Sequence, residues 1–135
     1  MAEQNEAIHV QWTPPPSDTR EDVFVKILFV HLVNRAIQRR TITYAELASL
    51  IGLPPSGNHM ASTLGRYLGR ILEWCSNTGH PHLTSLVVKG EGSPQGGIPG
   101  KGFWALLNLQ DTTTKERRLL TKTYQDAVFN YYGQL

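Results

Sequence analysis

Asn58, His59, Ser62, Thr63, Arg66 and Arg70 fall within thirteen positions of one another in a stretch that reads as a helix. At helical periodicity His59, Thr63, Arg66 and Arg70 line one side, with Asn58 and Ser62 near its N-terminal end. These are side chains that read a duplex. Arginine donates bidentately to guanine, asparagine pairs with adenine, and hydroxyls reach phosphate oxygens. A solvated helix face would carry the same residue types, so the neighbouring segments must decide. Lys89 and Lys101 bracket a run holding Gly90, Gly92, Gly96, Gly97, Gly100 and Gly102 with Pro94 and Pro99. On a flexible tip they would touch phosphates across the minor groove; as isolated surface charges they would only solubilise.

Other chemistries fit less well. Cys75, His80 and His82 are potential zinc ligands, but their spacing matches no zinc module and there is no second cysteine; no metal or other cofactor is expected. The glycine run lacks a Gly-Lys-Ser/Thr ending and does not lead into a phosphate-binding helix. Gly92-Ser93 is not embedded in the Gly-X-Ser-X-Gly turn of a nucleophile elbow. Asp and Glu number 11 and are scattered, with no pair assignable to acid/base work. Cys75 lies on an apolar helix stripe, where a thiol is buried rather than activated. A non-enzymatic protein is therefore expected.

The elements that must position these residues can be read in order. Residues 1–17 read as an arm, with Ile8, Val10 and Trp12 alternating before Pro14, Pro15 and Pro16. Asp18 and Glu21 suggest the start of a first helix, with apolar stripes at Val23, Ile27, Val30 and Ile37 and at Phe24, Leu28, His31 and Leu32. Residues 41–43 lean towards a strand. Thr43 and Glu46 form a capping pair for a short helix that Gly52 ends. A third helix spans about 57–75, apolar at Met60, Leu64, Tyr67, Leu68, Ile71, Leu72 and Cys75. Gly65 and Gly69, four apart, suggest close approach of another backbone or a partner. Residues 83–89 and 103–109 read as the strands of a β-hairpin with a mobile glycine-rich tip. A last helix starts after Thr113 with Glu116 as its capping partner, its buried stripe being Leu119, Leu120, Tyr124, Ala127, Val128 and Tyr131. Phe129, Tyr131 and Tyr132 could leave a patch for a homodimer. The order predicts one α+β, helix-rich domain over 18–135: a winged helix-turn-helix with recognition helix and hairpin wing.

Composition sets wider bounds. With 135 residues, 40% hydrophobic and 18% charged, the chain is the size and balance of one globular domain. A net charge of +2 permits nucleic-acid binding without arguing for it. One cysteine fits a reducing compartment, the N-terminus lacks the look of a signal peptide, and no apolar run approaches a membrane span. A cytoplasmic location without membrane contact is expected.

Residues 41–102 resemble the DNA-binding domain of the alkylguanine-DNA alkyltransferase and alkyltransferase-like family. Thr43-Tyr44-Ala45-Glu46-Leu47-Ala48 stands where that family has its Thr-Tyr-Gly and short helix, and Gly52-Leu53-Pro54 stands at its Gly-X-Pro turn. The run 54–64 lies on the start of the family's recognition helix. The resemblance implies a scaffold for double-stranded DNA and adds Tyr44 to the DNA-binding set. It also marks departures. The family's base-extruding arginine aligns with Asn58, and Arg66 takes that place only if an insertion is allowed. The reactive Pro-Cys-His-Arg motif is missing, the comparable region reading His82-Leu83-Thr84-Ser85-Leu86-Val87-Val88. Neither alkyl transfer nor damaged-base binding is implied. The strand and glycine-rich segment also resemble small winged-helix domains of prokaryotic restriction and phage-defence proteins. The leading expectation is a DNA-binding protein of regulatory or defence type in a prokaryote or phage. The alternative is a protein-interaction module, an inhibitor or adaptor, on the same scaffold.

Overall fold

A computed structural model describes residues 19–134; the expected arm at 1–17 and the cap at Asp18 lie outside them. Helix α1 spans Thr19–Ile37, strand β1 Ile42–Thr43, α2 Tyr44–Leu50 and α3 Asn58–Thr78. A 3-10 turn over Leu83–Leu86 leads into β2, Val87–Val88; α4 (Lys101–Leu106) and α5 (Thr114–Tyr132) complete the chain. The architecture is helix-rich with a two-stranded parallel sheet, an arrangement compatible with the α+β class.

Local chemistry starts and stops several of these elements as the sequence suggests. Thr43 and Glu46 close a full capping box on α2, and Thr113 and Glu116 close another on α5. Gly52 follows α2 with φ of 76°, and Gly79 caps α3 with φ of 73°, a left-handed geometry that glycine adopts without a Cβ penalty. The main core joins Leu28, Leu32 and Ala36 of α1 to Leu64, Tyr67, Leu68, Ile71 and Cys75 of α3, with Leu83, Leu86 and Val87 between them. At roughly 1.5–3 kcal/mol for each fully buried apolar side chain, the α3 stripe is a main source of stability.

Three expectations are corrected. The predicted hairpin is not formed. Ile42 pairs with Val87 and Thr43 with Val88 in parallel, and the connection between them runs through α2 and α3. Parallel pairing requires such a crossover. Residues 103–109, read as the returning strand, contain most of α4 instead. Phe103 and Trp104 are adjacent and both buried, which a strand's alternation forbids and a helix allows. The apolar stripes are also narrower than predicted. Val23, Val30 and Ile37 of α1 are exposed, as are Leu119, Ala127 and Tyr131 of α5, whereas Thr121, Val128 and Tyr132 are buried. Among the described residues no helix is long and apolar enough to cross a membrane.

A second cluster, Leu72, Phe103 and Trp104, seats α4 on α3, with Tyr124 of α5 packed against it. His82 is wedged edge-on between Phe103 and Tyr124, and its Nδ1 is buried without a partner. Loss of solvent pushes its pKa below the ordinary 6.5. The unfolded chain therefore takes up this proton first, so the stability contribution is complete above pH 6.5 and is lost as pH falls below it. Glu46 and Glu116, held below the usual 4.5 chiefly by hydrogen bonds from the backbone N–H of Thr43 and Thr113, lose theirs in a separate, more acidic window. Thermal unfolding between pH 7 and 5 is expected to show a falling Tm that is flatter in His82→Phe; parallel curves would disprove the assignment.

Candidate functional site

The face of α3 that carries Ala61, Gly65, Leu68, Gly69 and Leu72 does not meet another backbone. It forms one wall of an open cleft of about 1090 Å³. A Cβ on Gly65 would touch nothing within 4 Å, and one on Gly69 would meet only the Leu106 side chain at 3.6 Å. The paired glycines, expected to admit a close backbone, hollow the wall instead. The opposite wall is α4 with Lys101, Phe103 and Leu106, and the floor brings in Tyr44 at the start of α2 and Thr84 of the 3-10 turn. Lys89, Gly90 and Ser93 close one end.

The glycine-rich segment that forms this end is tied down. Lys89 and the Gly97–Ile98 pair exchange two backbone hydrogen bonds of 2.9 Å, and further turns link Gly90 to Ser93 and Ser93 to Gly96. Arg118 of α5 reaches across, donating from Nη1 to the Gly96 carbonyl at 2.9 Å and from Nη2 to the Pro94 carbonyl at 3.1 Å. The segment is thus a pinned loop where the sequence suggested a mobile hairpin tip.

Polar groups in the cleft are few. The Gly100 N–H donates to the Tyr44 hydroxyl oxygen at 2.7 Å, and a Cβ on Gly100 would lie only 3.1 Å from that oxygen. Burial raises the Tyr44 pKa above 10, so its hydroxyl keeps a proton to donate. Thr84 is buried, and its Oγ1 has no hydrogen-bond partner. Lys89 bonds Gln95 at 3.3 Å, while Lys101 is exposed at the start of α4. Among the described residues the lining carries two lysines and no carboxylate, a field that favours an anion. Cys75 is buried in the main core, its pKa raised chiefly by burial, and does not line the cleft.

The other site residues divide sharply. Asn58, His59 and Ser62 are exposed on the first turns of α3. Thr63, expected on the open face, is buried, because the α3 side carrying His59, Thr63, Arg66 and Arg70 turns towards α1. Arg66 and Arg70 reach Glu21 and Asp22 of that helix. Sequence reasoning missed Thr84 and Gly100, as well as Arg118, which holds the loop. The i, i+1, i+4 spacing of Phe103, Trp104 and Leu107 was the available signal that this wall is helical.

No protein-family model, curated protein or solved structure matches the chain.

Two variants test this geometry. Gly65→Ala is expected to raise stability by about 0.5–1 kcal/mol, since alanine relieves the helix-interior cost of glycine and meets no neighbour; a loss in denaturant unfolding would mean that the wall is closed. Arg118→Ala is expected to speed amide exchange and proteolysis across 90–97 with little effect on α3; unchanged protection would remove its anchoring role.

Proposed function

We propose that the chain is a non-enzymatic DNA-binding protein. In this reading α2 and α3 act as a helix-turn-helix, the exposed N-terminal half of α3 meets the duplex, and the pinned glycine-rich loop takes the place of a wing. The observation that carries the reading is the cleft that opens beside Ala61 and Gly65 of α3, lined by Lys89 and Lys101 without an opposing carboxylate. Asn58, His59 and Ser62 stand exposed on the same helix, suited to base edges and phosphates.

The cleft adds a specific role. It adjoins the helix edge that would face the duplex, and its volume is ample for a nucleotide. Apolar walls from Leu68, Leu72 and Phe103, with the Tyr44 hydroxyl as donor, suit the ring of an unstacked base. The lysines suit its phosphate. The resemblance to the alkyltransferase-like family supports the DNA scaffold, and the position of Cys75 away from the cleft favours binding without transfer.

A second reading, a protein-interaction module, rests on the exposed Val23, Val30 and Ile37 of α1 together with Trp74 and Tyr131. Fluorescence anisotropy on labelled duplexes separates the two. The DNA reading expects binding at 50 mM salt that weakens steeply by 200 mM, and weaker binding by Lys89→Ala/Lys101→Ala. Gly65→Leu, which fills the cleft, is expected to abolish any preference for a duplex containing an unpaired base while leaving salt-dependent binding to intact duplex. Absence of binding by the folded wild-type protein at 50 mM salt would reject the DNA reading.

A further inference from the structure

We infer that Glu21 is a tethered anion held against Arg66, and that nucleic acid binds by exchanging a backbone phosphate for this carboxylate. The inference rests on the DNA reading and adds to it a contact and a restraint. On the seam between α1 and α3, Glu21 Oε1 lies 2.7 Å from Arg66 Nε and its Oε2 lies 3.0 Å from Arg70 Nη1. Asp22 Oδ1 lies 2.7 Å from Arg70 Nη2. Two arginines thus face two carboxylates, and the seam presents no net charge to an incoming phosphate.

The two arginines are not equivalent. Arg70 is gripped by both carboxylates, and Asp22 is only 6% exposed, with its Oδ2 buried and unpartnered. Withdrawing Arg70 would strand a buried charge, so this pair belongs to the fold. Arg66 is bound to Glu21 through Nε, its side chain stays 57% exposed, and its guanidinium lies 5.4 Å from the Tyr67 ring. The planar fork of arginine fits a phosphate as well as a carboxylate. Arg66 also follows Gly65 directly, at the edge of α3 where the cleft opens. A partly exposed pair is weakly held, so phosphate can replace Glu21 there while Asp22 keeps Arg70 in place.

The test uses the full chain and labelled duplex DNA across a salt series. Glu21→Gln keeps the side-chain shape and removes the charge. It is expected to tighten low-salt binding by about 3- to 10-fold and to steepen the log–log salt slope by about 0.9, the signature of one added phosphate contact. Adding Arg66→Ala to Glu21→Gln should cancel both gains. Unchanged affinity and slope in a folded Glu21→Gln protein would overturn the exchange and leave the DNA reading standing. No binding by any variant, wild type included, would overturn both. A measurement on wild-type protein covers loss of folding in the variant: the Arg66 Nε–Hε resonance should shift on titration with duplex while that of Arg70 stays in place. An unmoved Arg66 signal in a bound complex would also overturn the exchange.

Discussion

Residues 83–88 run through the interior without one exposed position, and the remaining elements are arranged by the need to cover them. A two-residue strand has little hold of its own. Val87 and Val88 are fixed because β1 pairs with them in parallel while α1, α3 and α5 pack on the preceding turn. Parallel pairing in turn demands a crossover, and α2 with α3 supplies it. The order of helices that resembles a DNA-binding motif is thus also the connection that lets the buried segment be paired.

Burying 83–88 has a cost that bears on the site. The segment carries Thr84 and Ser85, whose hydroxyls are buried without partners, and unsatisfied buried hydroxyls oppose folding. Thr84 lies where the covering helices part. There α4 leans on Leu72 of α3 through Phe103 and Trp104, but the Gly65 and Gly69 edge remains uncovered. The cleft is what remains between helices that meet at one end and not at the other. Tyr44 bonded to Gly100, and Arg118 bonded to the loop, keep its floor and end in register.

Charge is handled differently on the two sides of α3. Towards α1, arginines and carboxylates cancel at close range, which secures the packing of the two helices and hides positive charge. Towards the cleft, Lys89 and Lys101 meet no carboxylate in the lining. A modest overall charge of +2 therefore coexists with a locally cationic site, because what a phosphate senses within a Debye length is local arrangement rather than the total.

The amino-acid order by itself determined what depends on near neighbours. Thr43 with Glu46 and Thr113 with Glu116 close capping boxes within one turn, Gly52 supplies a left-handed stop, and the apolar period of α3 states which residues it buries. Each is settled by groups three or four positions apart. Only the tertiary structure decided which polar side of α3 stays open, because Glu21 and Asp22 lie 45 to 49 positions from the arginines they hold. It likewise decided that 101–106 coils rather than extends. The adjacent pair Phe103 and Trp104 is buried by a surface assembled from α3 and α5, and β1 had already taken the pairing edge that a returning strand would have used. Short-range hydrogen bonds can be read along a chain, whereas the partner of a long charged side chain or a short strand is chosen by whichever distant surface packing brings within reach.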